Sequence, residues 1–368
     1  MKNSTPIRLI KPNVGPSEIE AVRAVLQSGM LVAGPKVDEF EKRLSEYLEV
    51  QFVVLVSSGT AALHLSLLAM GIGPGDEVLV SALTFPATAN AVELVGATPV
   101  FVDCGPESVN LDPNLVERRI GPKTKAILPV HAFGLPADMD RLSEIANHYN
   151  LSVIEDAACA LGSKLNNQWC GTMGHTGIFS FHPRKLLTTG EGGAVVTADE
   201  DIACRVRCLR NHGFMDGNYE AVGFNYRMTD FQAVMGSMQL RVYQNSLEQR
   251  RALAEQYWKK LQAIGWAKQI VPNGSVEWNV QTFLVCLEEP IDPKRVMEHL
   301  KHYDIESTIG TYCVPLLPYY RKKYKGTVKT FPKSFHLYRQ LLSLPLYMNM
   351  TIEDMERVVS ALDNFPGH

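Results

Sequence analysis

A single lysine lies between two short apolar segments in the stretch GIFSFHPRKLLTTGEGGAVVT, which begins at Gly177. The segments Gly177–Phe181 and Ala194–Thr197 have strand length and β-branched or aromatic side chains. Three glycines within four residues follow Lys185, and this density indicates a backbone that approaches another group closely or adopts positive φ. The lysine could therefore be presented from a rigid loop to a carbonyl compound, as in enzymes that form Schiff bases. A solvated loop lysine beside a tight turn is the alternative that this stretch leaves open.

A phosphate-binding turn is predicted earlier in the chain. The apolar segment Phe52–Val56 runs directly into Ser57-Ser58-Gly59-Thr60, and an Ala/Leu-rich helix, Ala61–Met70, follows. A helix that begins at such a turn directs free N–H groups and the positive end of its dipole toward one point, which favours a phosphate. An ordinary helix N-cap is the alternative interpretation of the same residues.

A carboxylate and an aromatic ring are predicted at the same end of the molecule. Asp156 follows the strand SVIE and is surrounded by small apolar residues, where an unpaired carboxylate is costly and a cationic partner is expected. Phe85 lies in TFPATAN, after another strand that ends at Ser81. Taken singly, Asp156 could cap a helix and Phe85 could belong to the core.

Together these four features predict a pyridoxal 5′-phosphate cofactor. The turn would hold the phosphate, Phe85 would stack on the ring, and Lys185 would form the Schiff base. Asp156 would keep the pyridine nitrogen protonated, so that the ring can accept electrons. The order of these residues along one sheet edge favours this combination over four unrelated structural roles.

The elements that must position these side chains alternate between strand and helix from Glu77 to about residue 200. Strands are predicted at Glu77–Ser81, Thr98–Val102, Ala126–Val130, Ser152–Glu155, Ile178–Phe181 and Ala194–Thr197, and helices at Ala87–Val95 and Met139–Tyr149. Nearly continuous apolar strands separated by helices indicate an α/β fold with a mainly parallel sheet covered on both faces. Ligands bind beyond the carboxyl ends of such strands, where the four features above fall.

The two ends of the chain have a different pattern. Two amphipathic helices precede the first strand; Ser17 is predicted to cap the first, which runs to Leu26, and the second has apolar positions from Val37 to Leu48. After about residue 240 we predict a long helix, a strand and two further helices, at positions Leu240 to Tyr257, Phe283–Leu287, Pro293–His302 and Thr351–Leu362. We therefore expect a large cofactor domain at residues 1–240 and a smaller α+β domain at 241–368.

The composition of the chain limits the classes of partner that we expect. The 368 residues are 46% hydrophobic and 20% charged with a net charge of −3, which gives no support for a nucleic acid or a membrane surface as partner. The seven cysteines are odd in number and lack paired spacing, so we expect reduced thiols and no metal site. The first residues, MKNSTPIRLIKPNVGPSE, contain no apolar h-region, and a soluble cytoplasmic protein is expected.

Several of these motifs together resemble the DegT/StrS sugar aminotransferase family, whose members are fold-type I pyridoxal-phosphate enzymes. The resemblance extends from about Pro12 to the end of the chain. It is carried by VSSGTAALHLSL, TFPATANAV, VIEDAACALGS, FSFHPRKLLTTGEGG, LRNHG and GFNYRMTDFQAVMGSMQL.

The resemblance implies roles for individual residues. Lys185 would be the Schiff-base lysine and acid–base group, and Asp156 would bind the pyridine nitrogen. The remaining cofactor contacts would come from Ser58, Gly59, Thr60, Phe85, Cys159, Ser180 and Asn225. Asn225 would reach the phosphate from a second subunit of a homodimer, and the alternative is a loop residue within its own subunit. His182 and Arg227 fall at motif positions near the substrate.

The implied reaction is the transfer of an amino group, with L-glutamate as donor, to a nucleotide-linked keto sugar of the 4-keto-6-deoxy class. A dehydratase of the same fold is one alternative, but such relatives carry histidine in place of the lysine. A non-enzymatic regulator is another, although no basic helix suited to DNA is present in the sequence.

Two positions depart from the family pattern. Cys159 stands where the family usually has a glutamine that bonds the cofactor's 3-oxygen, and a thiol is a poor hydrogen-bonding replacement. A histidine often found in the region matching Tyr312–Tyr320 is absent from TYCVPLLPYYR. We expect altered tuning of the cofactor rather than loss of activity, and the family's sugar contact at this histidine is not carried over to this chain.

Overall fold

A seven-stranded sheet forms the centre of the computed structural model, which describes residues 5–270 and 275–367. Its strands are β1 (Phe52–Val56), β2 (Glu77–Ser81), β3 (Thr98–Val102), β4 (Thr124–Leu128), β5 (Ser152–Asp156), β6 (Thr176–Ser180) and β7 (Gly193–Thr197). The spatial order is β1-β7-β6-β5-β4-β2-β3, and only β7 runs against its neighbours. The prediction of a mixed, mainly parallel sheet is confirmed.

Helices cover both faces of this sheet. They are α1 (Pro16–Ser28), α2 (Pro35–Leu48), α3 (Gly59–Ala69), α4 (Pro86–Leu94), α5 (Pro113–Arg119), α6 (Met139–Tyr149), α7 (Glu200–Arg210) and α8 (Asp230–Leu240). One face packs on α3, α4 and α7, and the other on α2, α5, α6 and α8. Because both faces are buried, the strands are apolar throughout rather than alternating.

A second, antiparallel sheet lies in the C-terminal part of the chain. Its strands are β8 (Ala267–Gln269), β9 (Phe283–Leu287), β10 (Thr308–Ile309) and β11 (Leu341–Leu344), in the order β8-β9-β11-β10. Its helices are α9 (Tyr243–Leu261), α10 (Pro293–His302), α11 (Pro318–Tyr324), α12 (Pro332–Gln340) and α13 (Ile352–Asp363). The division into domains at residue 240 stays a prediction.

The N-terminal segment joins this second sheet. The Ile7 N–H donates to the Asp304 carbonyl at 2.9 Å, and Ile7 is 1% exposed within the same apolar cluster. The Leu9 carbonyl accepts from the Leu346 N–H at 3.2 Å. The segment that precedes α1 therefore runs along the edge of the C-terminal sheet.

Two local predictions were wrong. Ser17 does not cap α1, because the helix begins at Pro16 and Gly15 is its N-cap, with the Gly15 N–H donating to Glu18 Oε2 at 2.9 Å. Proline at the first helical position accounts for the shift, since its fixed φ suits that place. The long helix predicted at positions Leu240 to Tyr257 is present as α9, but it begins at Tyr243, because Leu240 is the last residue of α8.

Short strand pairs complete the described chain. They join Leu83–Thr84 to Tyr312–Cys313, Lys164–Leu165 to both Gln168–Trp169 and Val276–Glu277, and Phe214–Met215 to Asn218–Tyr219. Within residues 5–270 and 275–367, none of the helices is long and apolar enough to cross a membrane. In the same ranges we find no cluster of three His, Cys, Asp or Glu side chains that could hold a metal ion.

Candidate active site

A cavity of about 910 Å³ opens where the central sheet faces the C-terminal sheet. Nine of the residues predicted from the sequence line it: Ser58, Gly59, Thr60, Phe85, Asp156, Cys159, Ser180, His182 and Lys185. They come from the carboxyl ends of β1, β5 and β6 and from the loops that follow β2 and β6. The topology brings them together because neighbouring parallel strands end at one edge of the sheet.

Two predicted residues do not line the cavity of their own chain. The Asn225 side chain is exposed, and Arg227 Nη1 donates to Asn211 Oδ1 at 2.7 Å. The segment that carries them runs beside the end of β1, since the Ser57 N–H donates to the Tyr226 carbonyl at 2.8 Å. Asn225 therefore lies near the predicted phosphate turn without reaching into the cavity.

The predicted phosphate turn begins α3. Ser58 is the N-cap, and its Oγ accepts from the Ala61 N–H at 3.0 Å. The first N–H groups of a helix have no intrahelical acceptor, so those of Gly59 and Thr60 are available to an anion. A Cβ built on Gly59 would lie 2.9 Å from Ser180 Cβ, which explains why glycine is needed where the turn meets β6.

Asp156 is a buried carboxylate at the floor of the cavity. It is 6% exposed; Thr88 Oγ1 donates to its Oδ2 at 2.7 Å and the Ala158 N–H to its Oδ1 at 3.2 Å. Burial raises the pKa of Asp156, while these two donors and the charge of Lys185 oppose that rise. A cationic partner placed in the cavity would favour the ionised form.

The Lys185 amine contacts a thiol. Its Nζ donates to Cys159 Sγ at 2.9 Å. The Asn279 Nδ2 donates to the Cys159 carbonyl at 2.9 Å and fixes the backbone of that residue. The contact places Cys159 beside the lysine, in the cavity where the family resemblance implies contact with the cofactor ring.

The loop that carries Lys185 is held from the C-terminal part of the chain. Gln281 Nε2 donates to the Arg184 carbonyl at 2.7 Å, and its Oε1 accepts from the Leu186 N–H at 3.3 Å. Arg250, 4% exposed, donates to the carbonyls of Val280, Gln281 and Leu346. Burial lowers the pKa of Arg250 to about 10, and its three carbonyl acceptors satisfy the charge.

Phe85 and His182 lie on the open side of the cavity. Phe85 is 65% exposed, although it precedes α4 in a buried region, and its ring centroid is 6.4 Å from that of Tyr312. An aromatic face left open beside buried polar groups suits a planar ligand. His182 Nε2 is 3.9 Å from Glu191 Oε1, and burial lowers the pKa of His182.

The residues present fit pyridoxal phosphate. The turn at Ser58 offers donors for a phosphate, Asp156 offers a buried carboxylate for a protonated ring nitrogen, and Phe85 offers an open aromatic face. Lys185 supplies an amine in the same cavity. The phosphate, the ring nitrogen and the ring face of one cofactor molecule are thus each matched by groups that line the same cavity.

Sequence reasoning missed the residues that hold this set in place. Thr88 follows Phe85 by three residues on α4, a spacing that could have identified it as part of the same helix face. Gln281 and Arg250 are about 100 and 65 residues from Lys185 in the chain. Only the packing of the C-terminal sheet against the central sheet brings them to the lysine loop.

Comparison with known proteins assigns the chain to a family. The family model for the DegT/DnrJ/EryC1/StrS aminotransferase family matches residues 12–363. The spore coat polysaccharide biosynthesis protein SpsC of Bacillus subtilis is 36% identical, with 95% of each chain covered. The GDP-perosamine synthase of Caulobacter vibrioides is 40% identical, with 90% of each chain covered.

A solved structure has the same fold. The structure of DesV from S. venezuelae, in complex with a ketimine intermediate, superposes with a TM-score of 0.92 at 33% identity. The superposition covers 99% of this chain and 100% of that one. The similarity therefore includes both sheets and the segment that precedes α1.

Proposed function

The chain belongs to the DegT/DnrJ/EryC1/StrS aminotransferase family, and we propose that it aminates a keto sugar carried by a nucleotide, with L-glutamate as donor. It is a pyridoxal-phosphate-dependent sugar aminotransferase. The observation that carries the proposal is the presence of Lys185 and Asp156 in one cavity with a helix N-terminus and an open aromatic face.

The cofactor, when bound, supplies an electron sink for negative charge that develops on the carbon next to the transferred nitrogen. In our proposal the N–H groups of Gly59 and Thr60, with the Ser58 and Ser180 hydroxyls, bind its phosphate. Phe85 would pack on one face of the ring, and Cys159 would contact the ring oxygen. Asp156 holds a proton on the ring nitrogen through its buried carboxylate.

Lys185 has two tasks in this proposal. Its Nζ anchors the cofactor covalently before the substrate enters. Once released, the same Nζ carries a proton away from the α-carbon of the donor, and in the second half of the cycle it delivers a proton to the sugar carbon. Gln281 keeps the loop in place during both transfers, because it bonds the backbone of Arg184 and Leu186. Arg250 in turn holds Gln281 by donating to its carbonyl.

The acceptor class rests on the relatives and on the size of the cavity. One relative is a GDP-perosamine synthase and another takes part in spore coat polysaccharide biosynthesis. The cavity of about 910 Å³ has room for a sugar in addition to the cofactor ring. We propose the 4-keto-6-deoxy class, with carbon 4 as the site of amination.

We further propose a homodimer with shared active sites. Asn225 is exposed next to the phosphate turn and outside the cavity of its own chain. Several apolar side chains of the N-terminal region are also exposed: Val14, Ile19, Leu26, Met30, Leu31 and Val32. A second copy that covers this region would bury them and could bring its own Asn225 to the phosphate. His182 and Arg227 stay proposed substrate contacts.

The test is a panel of nucleotide-linked keto sugars incubated with glutamate and the purified holoenzyme. Amination replaces a carbonyl oxygen with an amino group, so the product is identified by its mass. We expect one 4-keto-6-deoxy sugar nucleotide to be converted, with 2-oxoglutarate formed in equal amount. Conversion of a 3-keto sugar alone, or conversion with another donor only, would contradict the finer assignment.

A further inference from the structure

A buried histidine and a buried glutamate form a pair on the far side of β5 from the cavity. Glu155 and Asp156 are consecutive in β5, so their side chains point to opposite faces of the central sheet. His131 Nε2 is 2.8 Å from Glu155 Oε2, and both residues are 0% exposed. Neither lines the cavity. Any part that this pair has in the chemistry must therefore act through a neighbour.

The Glu155 carboxylate is enclosed by a backbone loop. The N–H groups of Gly171, Met173 and Gly174 donate to it at 2.7, 2.6 and 2.5 Å. A Cβ added to Gly174 would lie 2.9 Å from the Val153 carbonyl oxygen, so this loop packs directly on β5. A buried carboxylate needs such donors to compensate for the loss of water. Glu155 is therefore a fixed point on β5 to which a neighbouring segment can be tied.

The His131 imidazole ties the turn that follows β4 to this fixed point. The Ala137 N–H donates to Nδ1 at 3.0 Å, so Nδ1 is the acceptor and the proton on Nε2 is directed at Glu155. Between His131 and Ala137, Phe133 has a φ of 59°, a left-handed conformation that a residue with a side chain rarely adopts. Such a turn persists only where its surroundings hold it. One imidazole thus holds both ends of the turn against β5.

The backbone of Asp156 depends on the start of the same turn. The Asp156 N–H donates to the Pro129 carbonyl at 2.8 Å, and the His131 N–H donates to the Asp156 carbonyl at 3.0 Å. Val130, between them, pairs with Asp156 beyond the last residue of β4. The depth at which the Asp156 carboxylate enters the cavity therefore follows from the placement of residues 129–131.

We propose that His131 and Glu155 are positioning residues for Asp156: by tying the turn after β4 to β5, they hold the Asp156 carboxylate where it binds the protonated ring nitrogen of the cofactor. A charge-assisted hydrogen bond requires a short distance and good alignment, so the group that makes it needs rigid support from behind. A pair that only stabilises the fold is the competing explanation. The inference rests on the proposed role of Asp156, and the test distinguishes failure of the one from failure of the other.

The experiment compares the binding of pyridoxal phosphate with that of its carbocyclic analogue, in which a C–H group replaces the ring nitrogen. Both compounds carry the aldehyde and the phosphate, so the contributions of Lys185 and of the α3 N-terminus cancel in the ratio of the two dissociation constants. We expect the wild type to prefer pyridoxal phosphate by about tenfold or more, as for a hydrogen bond between charged groups. Asp156→Ala should abolish this preference.

Two variants of His131, each lacking one of its two side-chain hydrogen bonds, separate positioning from folding. The amide nitrogen of His131→Gln can still donate to Glu155, whereas the shorter side chain of His131→Asn keeps only an acceptor for the Ala137 N–H. We expect similar falls in melting temperature, but a several-fold loss of the preference for pyridoxal phosphate in His131→Asn alone. If His131→Asn weakens the binding of both compounds by the same factor, the pair has only a structural role and the proposal is overturned.

His175→Asn is the matched control. Its Nδ1 also accepts a backbone N–H of β5, that of Val153 at 3.1 Å, but near the opposite end of the strand from Asp156. This variant should keep the wild-type preference for pyridoxal phosphate. A wild type without any preference removes Asp156 from its proposed role and the inference with it. A wild-type preference that His131→Asn retains in full overturns the inference alone.

A measurement on the wild type covers the case in which His131→Asn does not fold. Selective labelling of histidine with ¹⁵N resolves the Nε2 proton of His131 by nuclear magnetic resonance, and its absence from His131→Gln assigns it. Pyridoxal phosphate should shift this resonance further than the carbocyclic analogue does, because only the ring nitrogen engages Asp156 and, through it, the turn. A resonance that responds equally to both compounds overturns the proposal.

Discussion

Lys185 is the residue on which the proposed chemistry depends. It lies in the cavity with its Nζ 2.9 Å from Cys159 Sγ, and Gln281 fixes its loop by bonding the backbone on both sides of it. We predict that Lys185→Ala abolishes turnover and leaves the melting temperature of the cofactor-free protein close to wild type, because the side chain supports no core packing. Borohydride reduction of the holoenzyme should attach the cofactor at position 185.

Peptide mapping by mass spectrometry identifies the lysine to which the reduced cofactor is attached. Lys164→Ala is a suitable control, since Lys164 lies on a short strand outside the cavity, over the Trp169 ring. The cofactor should remain attached at position 185 in that variant. Attachment at any other lysine of the wild-type protein would remove Lys185 from its proposed role.

Asp156 allows a prediction that separates function from stability. Its pKa is raised by burial, so the folded cofactor-free protein binds this proton more tightly than the unfolded chain does. Ionisation of Asp156 therefore reduces folding stability once the pH rises above the ordinary range of an aspartate, near 3.8, and the reduction is complete above the raised pKa. Asp156→Asn removes this reduction.

We expect cofactor-free Asp156→Asn to melt at least as high as wild type at pH 7 and the difference to shrink at acidic pH. The loaded variant should lose turnover by orders of magnitude, as in other losses of charge stabilisation. Thermal melts across pH and steady-state rates check the two parts. A variant that is both less stable and fully active would show that Asp156 is a structural carboxylate.

At the level of elements, the phosphate turn depends on how closely β7 approaches α3. A Cβ added to Gly193 would lie 2.6 Å from the Ser58 carbonyl atoms and 2.7 Å from the Gly59 nitrogen. Gly193→Ala should therefore push the turn away from β7 and weaken cofactor binding, at a cost of about 1–3 kcal/mol in unfolding free energy.

Denaturant unfolding and a cofactor titration measure both effects. Gly265→Ala is the matched control, because a Cβ there has no atom within 4 Å. It should leave stability and cofactor affinity unchanged. If Gly193→Ala behaves like this control, the turn does not depend on the close approach of the two backbones.

For the whole molecule, the proposed homodimer with shared sites gives a prediction that must be tested on two different subunits. Lys185→Ala subunits and Asn225→Ala subunits, each impaired alone, are mixed and allowed to exchange. In a mixed dimer one site then carries both defects and the other carries neither, so activity should recover. Recovery requires that Asn225 act on the partner's cavity, in agreement with its exposed position outside its own.

The control mixes Lys185→Ala with Asp156→Asn subunits. Both residues line the cavity of the same chain, so every site of that mixed dimer keeps one defect and activity should stay low. Exchange is verified by differently tagged subunits. Verified exchange without recovery in the first mixture would place Asn225 in the site of its own subunit.

The sequence by itself determined the strands of the central sheet and many of the residues that line the cavity. Strands such as Phe52–Val56, Glu77–Ser81 and Thr98–Val102 were predicted with the bounds that the structure has, because buried parallel strands are short, continuous apolar runs. Nine of the predicted site residues line one cavity, since the ends of strands and the chemistry of the turns after them are local properties that the sequence encodes directly. The family resemblance is confirmed by the match over residues 12–363.

Only the tertiary structure decided what supports the site. Gln281 reaches the Lys185 loop, and Arg250 holds Gln281, through packing between segments far apart in the chain. No local pattern marks such residues, because their roles come from the three-dimensional contact of two sheets and not from periodicity or turn chemistry. The Gln281 side chain illustrates the difference: its sequence context is ordinary, and its two hydrogen bonds to the Lys185 loop exist only in the fold.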